Sequence, residues 1–71
     1  MDWRALVGGN VRRLRLERGL TQEQLAVDAG IDITYLGGIE RGRRNPSLLV
    51  LVALGDALSV PPEALLSTVN V

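Results

Sequence analysis

Residues 21–42 read TQEQLAVDAGIDITYLGGIERG, and this stretch predicts two short helices joined by a tight turn. A T-x-x-Q capping box begins at Thr21, so both ends of that pattern satisfy backbone N–H groups at the start of the first helix. Gly30 is the residue type best suited to end this helix in a left-handed conformation. Asp32 then caps a second helix, which ends before Gly42.

The composition indicates a single small domain, spanning residues 1–71. Its length is near the lower limit at which a hydrophobic core suffices without disulfides or a structural metal. The chain has 71 residues with no Cys and no His, which excludes disulfides and thiolate or imidazole metal sites. No signal peptide and no membrane-spanning run is visible, so we expect a cytoplasmic protein. We expect no enzyme, no metal and no cofactor, because no catalytic constellation of side chains stands out.

The eight basic residues, all of them Arg, lie in the first 44 positions although the formal net charge is zero. Residues 1–44 carry eight positive and six negative charges, whereas residues 45–71 carry two negative charges only. One end of the molecule can therefore present a basic face. Arg suits bidentate phosphate contacts, although a GC-rich genome would equally account for Arg in place of Lys.

Apolar residues at helical spacing predict a first helix over residues 2–18. They are Trp3, Leu6, Val7, Val11 and Leu14. Gly8 and Gly9 weaken this helix and predict either fraying or close packing.

A fourth helix is predicted from Asn45 as its cap, with Pro46 at the first helical position, to about residue 59. Pro61 and Pro62 prevent its continuation, residues 63–66 can form one last turn, and residues 67–71 are expected to be loosely held. No period-two alternation is visible. The fold class is therefore all-α, with four main helices and a short fifth.

This organisation resembles the phage-repressor and Cro-type (XRE-like) helix-turn-helix family of small transcriptional regulators. The matching segments are VRRLRLERGLTQEQLA at 11–26, AGIDITYLGGIERGRRNPSL at 29–48 and L-x-x-L-x-x-ALSV at 51–60. The resemblance implies a compact, lambda-repressor-like domain of four to five helices, with its helix-turn-helix at 21–42 and double-stranded DNA as its partner.

The resemblance also implies that the second helix of the motif enters the major groove. Its base-facing positions here are Asp32, Ile33, Thr34, Tyr35, Gly37, Gly38 and Arg41. The glycine pair departs from the Ser, Gln or Arg that related proteins often have there, and a close helix–helix approach is the alternative explanation. The usual bidentate base readers are missing from the helix proper, so we expect weak or shape-dependent readout.

Phosphate contacts are expected at both ends of the motif. The resemblance places Gln22 against a backbone phosphate, while Arg43, Arg44 and Asn45 form a basic turn before the fourth helix. The alternative for this turn is an ordinary solvated loop.

The resemblance further implies that Arg15 and Glu40 form a partly buried structural ion pair. The two motif helices are also expected to cross closely at Ala26, where a larger side chain would separate them.

The fourth helix carries more apolar residues than one buried face requires. Its core stripe is predicted to be Leu48, Leu51, Leu54 and Leu58. The excess predicts a homodimer interface made of Leu49, Val52, Ala53, Val60, Leu65 and Leu66. The alternative is that these residues simply fill a small core.

Two functions from different classes remain open. The first is a sequence-specific DNA-binding transcriptional regulator that acts as a homodimer on a two-half-site operator, of the repressor or restriction-modification controlling-protein type. An antitoxin is also compatible with the length. The second is a protein-interaction module that uses the apolar fourth and fifth helices and binds DNA little.

Overall fold

The computed structural model describes residues 1–68, and this part of the chain forms four α-helices and one 3₁₀ turn. The α-helices are α1 (Trp3–Glu17), α2 (Gln22–Ala29), α3 (Ile33–Glu40) and α4 (Leu48–Leu58), and the C-terminal 3₁₀ turn is Pro62–Leu66. The all-α prediction is confirmed. Residues 67–71 were expected to be loosely held; residues 69–71 lie outside the described residues, and the Ser67 carbonyl accepts a hydrogen bond from Asn10.

Local side-chain bonds begin the motif helices where the sequence predicts. The Thr21 hydroxyl accepts from the backbone N–H of Gln24 at 3.1 Å, and the Gln24 carboxamide accepts from the N–H of Thr21 at 2.9 Å. The Asp32 carboxylate accepts from the N–H groups of Thr34 and Tyr35. The capping box and the Asp32 cap are therefore confirmed.

The motif helices end in turns that use left-handed glycines. Gly30 has φ +69°, and the next N–H, that of Ile31, returns to the Ala26 carbonyl at 3.0 Å. Gly42 has φ +74°, and the Arg43 N–H returns to the Gly38 carbonyl at 2.9 Å. This Schellman arrangement satisfies the last helical carbonyls and directs the chain sharply into the next segment.

The start of α4 differs from its prediction. The cap is Ser47, whose hydroxyl accepts from the Val50 N–H at 3.2 Å, so Asn45 is not the cap and Pro46 lies outside the helix. Pro46 is half-buried and lines a crease with Trp3 and other residues of α1 and the C-terminal turn. Helix α4 therefore begins two residues later than the sequence predicts.

The core lies where α1 packs on α3 and the 3₁₀ turn, and where α2 packs on α3 and α4. Its fully buried large side chains are Val11, Leu25, Leu36, Ile39, Leu54, Leu58 and Leu65. Leu51 belongs to the same cluster. Leu48, predicted to be core, is 71% exposed because it occupies the outward side of the first turn of α4. Trp3 is also more than half exposed.

Helix α1 approaches α3 closely at Gly8. A Cβ atom on Gly8 would collide with the backbone carbonyl oxygens of Ile39 and Glu40, whereas one on Gly9 would meet open space. Close packing, rather than fraying, therefore explains the first glycine. Ala26 is buried on α2, as expected of a small residue at a helix crossing.

Candidate nucleic-acid interface

The outward side of the helix-turn-helix carries a shallow concavity of about 280 Å³ between α2 and α3. It is lined by Gln22, Ile33, Thr34, Gly37 and Arg41. Four of these residues lie on α3 or directly after it. Ile33, Gly37 and Arg41 follow one another at intervals of four, and Thr34 lies three before Gly37, which places them along one side of the helix. The concavity is open to solvent. Its lining includes four residues predicted to face bases and Gln22, which was predicted to contact a phosphate.

The two glycines of α3 are buried beneath arginine side chains. A Cβ atom on Gly37 would lie 3.1 Å from Nη1 of Arg41, and one on Gly38 would lie 2.8 Å from Cγ of Arg44. For both glycines the three atoms nearest to that position belong to the arginine. The alternative of a close helix–helix approach is therefore wrong for this pair. The glycines instead leave room for the side chains of Arg41 and Arg44 against α3.

Arg44 also stacks on an aromatic ring. Its guanidinium carbon lies 5.7 Å from the ring centroid of Tyr35, within the range of a cation–π contact. Tyr35 is half-buried, so the ring is a fixed platform for the cation. Tyr35 was predicted to face bases and Arg44 to contact a phosphate. Their contact is visible only in the three-dimensional structure.

The charged side chains of the turn after α3 are exposed. Arg41, Arg43, Arg44 and Asn45 are all exposed, and none of the three arginines has a carboxylate at salt-bridge distance within residues 1–68. Asp32 is exposed at the opposite end of α3, where its carboxylate is occupied by two backbone N–H groups. The charge of Asp32 is thus set against the positive end of the helix dipole, and the positive charge of the turn faces solvent.

Gln22 is half-buried and tied to the interior. Its Nε2 donates to Oε1 of Glu40 at 3.0 Å, so one of the donors expected to meet a phosphate is already occupied. The second N–H of this amide is left for a ligand. This hydrogen bond was not predicted from the sequence, because nothing in the spacing of residues 22 and 40 indicates it.

Arg15 and Glu40 form the ion pair that the resemblance implied. Nε of Arg15 lies 2.7 Å from Oε2 of Glu40, Nη2 lies 3.0 Å from Oε1, and the two side chains are 9% and 2% exposed. Arg15 also donates from Nη1 to the Leu20 carbonyl at 2.9 Å. The hydrogen bonding of Arg15 to the Glu40 carboxylate raises the pKa of Arg15 above its usual value, against the opposing effect of burial. The guanidinium therefore stays charged at any physiological pH.

The residues predicted for a dimer interface do not all share one environment. Leu49 is 77% exposed and Leu66 is 42% exposed, whereas Val52, Ala53 and Val60 are half-buried. Leu65 is fully buried in the core of the monomer, because the 3₁₀ turn folds it back against α1 and α4. Leu65 is therefore wrong as an interface residue.

Other kinds of site receive no support from the described residues. In residues 1–68 no three His, Cys, Asp or Glu side chains are grouped in a way that could hold a metal ion. Nor does any helix in this range have the length and apolar character needed to cross a membrane.

The chain belongs to the helix-turn-helix family, whose profile matches residues 11–65. It is 52% identical over 60 residues to the uncharacterized HTH-type transcriptional regulator y4dJ of Sinorhizobium fredii, covering 84% of this chain and 78% of that protein. It is 46% identical over 59 residues to the immunity repressor protein of Bacillus phage phi105, covering 83% of this chain and 41% of that protein.

A solved structure supports the same assignment. The restriction-modification controller protein C.AhdI from Aeromonas hydrophila superposes with a TM-score of 0.85 at 44% identity, covering 87% of this chain and 94% of that one. The chain is accordingly an HTH-type, DNA-binding transcriptional regulator and not an enzyme. It is similar both to controller proteins and to phage repressors.

Proposed function

We propose that this regulator binds a specific operator as a homodimer, with α3 in the major groove of each half-site. The observation that carries the proposal is the run of three solvent-facing arginines, Arg41, Arg43 and Arg44, directly beside the outward side of α3, none of which forms a salt bridge within residues 1–68. Arginines without acidic partners suit a polyanion, because they can neutralise phosphates without first breaking ion pairs.

The base-facing set follows the outward side of α3. Gly37 and Gly38 lie beneath Arg41 and Arg44, so the members that can reach bases are Asp32, Ile33, Thr34, Tyr35 and Arg41. Ile33 is exposed and suits a thymine methyl group, and the Thr34 hydroxyl can donate to a base edge or accept from one. Asp32 and Tyr35 lie at the margins of this surface, where the carboxylate caps the helix and the ring supports Arg44.

The phosphate-contacting set flanks this surface on two sides. Gln22 offers its remaining N–H from the first turn of α2, and Arg43, Arg44 and Asn45 project from the turn after α3. Contacts on both sides of the groove would fix the orientation of α3 before any base is read.

The dimer is proposed to form through α4 and the 3₁₀ turn. Leu49 and Leu66 are exposed on these elements, as is Leu48, and Val52, Ala53 and Val60 are half-buried. A two-fold dimer fits an operator with two half-sites about one helical turn apart. The relatives include an immunity repressor and a restriction-modification controller protein, so a role of either type is within the proposal.

The first experiment is DNA binding as a function of salt concentration. Wild type is compared with Arg43→Ala/Arg44→Ala, and with Arg12→Ala/Arg18→Ala as a control that removes the same charge from exposed positions of α1 and its end. We expect the slope of log K against log salt to flatten by about 0.9 for each phosphate that the turn variant no longer neutralises. The control should keep the wild-type slope. Equal slopes in all three proteins would refute the phosphate role of the turn.

A protein-interaction module is the second candidate, favoured by the exposed Leu48, Leu49 and Trp3. Exposed apolar side chains of this kind can serve a partner chain without DNA. Absence of wild-type binding to mixed duplex DNA at low salt would favour this candidate over the operator-binding dimer.

A further inference from the structure

One side of α3 has a donor-rich side chain at only one position. Ile33 and Thr34 begin this side, Gly37 interrupts it without a side chain, and Arg41 follows one turn later. The Ile33 side chain carries no polar atom, and the Thr34 hydroxyl can make only a single donor contact. The Gln22 amide, on the facing wall of the concavity, already donates to Glu40. Arg41 is thus the side chain there with several free donors.

Gly37 provides the space that Arg41 occupies. Nη1, Cζ and Nη2 of Arg41 lie 3.1, 3.8 and 3.9 Å from the position of an added Cβ, so the whole guanidinium lies over the helix backbone at this residue. The guanidinium consequently points back along α3 towards Ile33 and Thr34 instead of extending from the helix end. It is exposed and has no acidic partner in the described chain.

We propose that Arg41, lying over Gly37, reads a guanine in each operator half-site. The inference rests on the proposed function and deepens it, because it names the base and the residue that selects it. A guanidinium presents two parallel N–H donors, and guanine presents O6 and N7 as paired acceptors in the major groove. A side chain at residue 37 would fill the concavity and move the guanidinium away from the groove, so the glycine is a positioning residue.

The test is selection of bound sequences from a random duplex pool, followed by affinities for single-base variants of the selected site. The proteins are wild type, Arg41→Ala, Arg41→Lys and Gly37→Ala, with Arg12→Ala as a control of equal charge loss on the exposed side of α1. Arg41→Lys separates the two possible roles, since lysine keeps a point charge for a phosphate but loses the bidentate geometry.

We expect wild type to select a guanine at one fixed position of each half-site. Arg41→Ala and Arg41→Lys should both lose the discrimination at that position, by roughly 5- to 150-fold, while preferences elsewhere remain. Gly37→Ala should weaken the same preference while raising Tm, because alanine favours the helix. Arg12→Ala should retain the wild-type preference.

Three results would overturn the inference, and they are distinguishable. If wild type selects a motif in which no guanine preference is lost on substitution of Arg41, the inference is refuted and the DNA-binding function stands. A uniform loss of affinity in Arg41→Ala, with a flatter salt slope, rescue by Arg41→Lys and all preferences kept, assigns Arg41 to a phosphate. If wild type selects no sequence at all, the proposed function and the inference fail together.

Discussion

Arg15 and Glu40 join α1 to α3 through two parallel hydrogen bonds, and the same carboxylate accepts a third from Gln22 on α2. Three helices therefore meet on one buried acid. Helix α3 and Gln22 both belong to the proposed DNA interface. The Arg15–Glu40 pair therefore stabilises the arrangement of that interface as well as the packing of the core. The orientation of α3 relative to α2 depends on a contact that lies beneath the DNA-facing side.

Removing one partner of this pair should cost much more than removing a surface ion pair. We expect Arg15→Ala to lower the free energy of unfolding by about 3–5 kcal/mol, because Glu40 would be left as an uncompensated buried charge. The control is Glu17→Ala, which removes the exposed pair with Arg13 and should cost less than about 1 kcal/mol. Urea unfolding followed by circular dichroism measures both. Similar losses of unfolding free energy in the two variants would show that the Arg15–Glu40 pair contributes no more to stability than an exposed ion pair.

The neighbouring glycines of α1 should respond to alanine in opposite directions. Gly8→Ala places a methyl group against the carbonyls of Ile39 and Glu40, which are backbone atoms that cannot turn aside, and should destabilise by about 1–3 kcal/mol or more. Gly9→Ala enters open space and should stabilise by about 0.5–1 kcal/mol through helix propensity. Thermal unfolding distinguishes them, and a shift of the same sign in both would contradict the close approach of α1 to α3.

Ser59 is the non-glycine residue with positive φ, +60°, in the described chain, and it ends α4 in a left-handed turn. Ser59→Gly should stabilise the protein by about 0.5–1 kcal/mol, because glycine relieves the steric cost of this conformation at some loss of chain entropy. Gly30→Ala makes the reverse change at the end of α2, where an added Cβ meets no other atom, and should cost about 1–2 kcal/mol. Unchanged Tm values in both variants would argue against these turn conformations.

Asn10 fastens the C-terminal turn to α1. Its buried amide donates to the carbonyls of Leu65 and Ser67, at 2.9 and 3.0 Å. Asn10→Ala should cost about 1–3 kcal/mol, because it leaves buried carbonyls without this donor. Asn45→Ala, an exposed asparagine, should stay within about 0.5 kcal/mol of wild type in stability. Equal stability of the two variants in chemical unfolding would show that the hydrogen bonds of Asn10 do not stabilise the packing of the C-terminal turn on α1.

The proposed dimer depends on an exposed apolar surface, so a charge placed there should dissociate it. Leu49→Glu buries a charge in the proposed interface of each protomer and should yield monomers in sedimentation at tens of micromolar, where wild type is expected to be dimeric. Val27→Glu is the matched control, because Val27 is equally exposed but lies on α2, outside this surface. A purely monomeric wild type, or equal effects of the two substitutions, would refute the interface.

The helix boundaries of the motif were predictable because their signals are local. The cap at Thr21, the left-handed Gly30 and the cap at Asp32 involve bonds between residues two to five positions apart. Such bonds depend on residue type and spacing alone. The start of α4 was not predictable in the same way, because Asn45 and Ser47 are both capable caps. The structure uses Ser47.

By itself, the sequence determined the all-α class, the order of the helices and the position of the helix-turn-helix, since these follow from periodicity, capping and turn residues. Tertiary structure alone decided that Leu65 is buried and Leu48 is exposed, and that Gly8 faces a backbone. It also decided that arginines cover Gly37 and Gly38. Burial and contact depend on distances between residues remote in sequence or on the path of a long side chain, and spacing along the chain encodes neither.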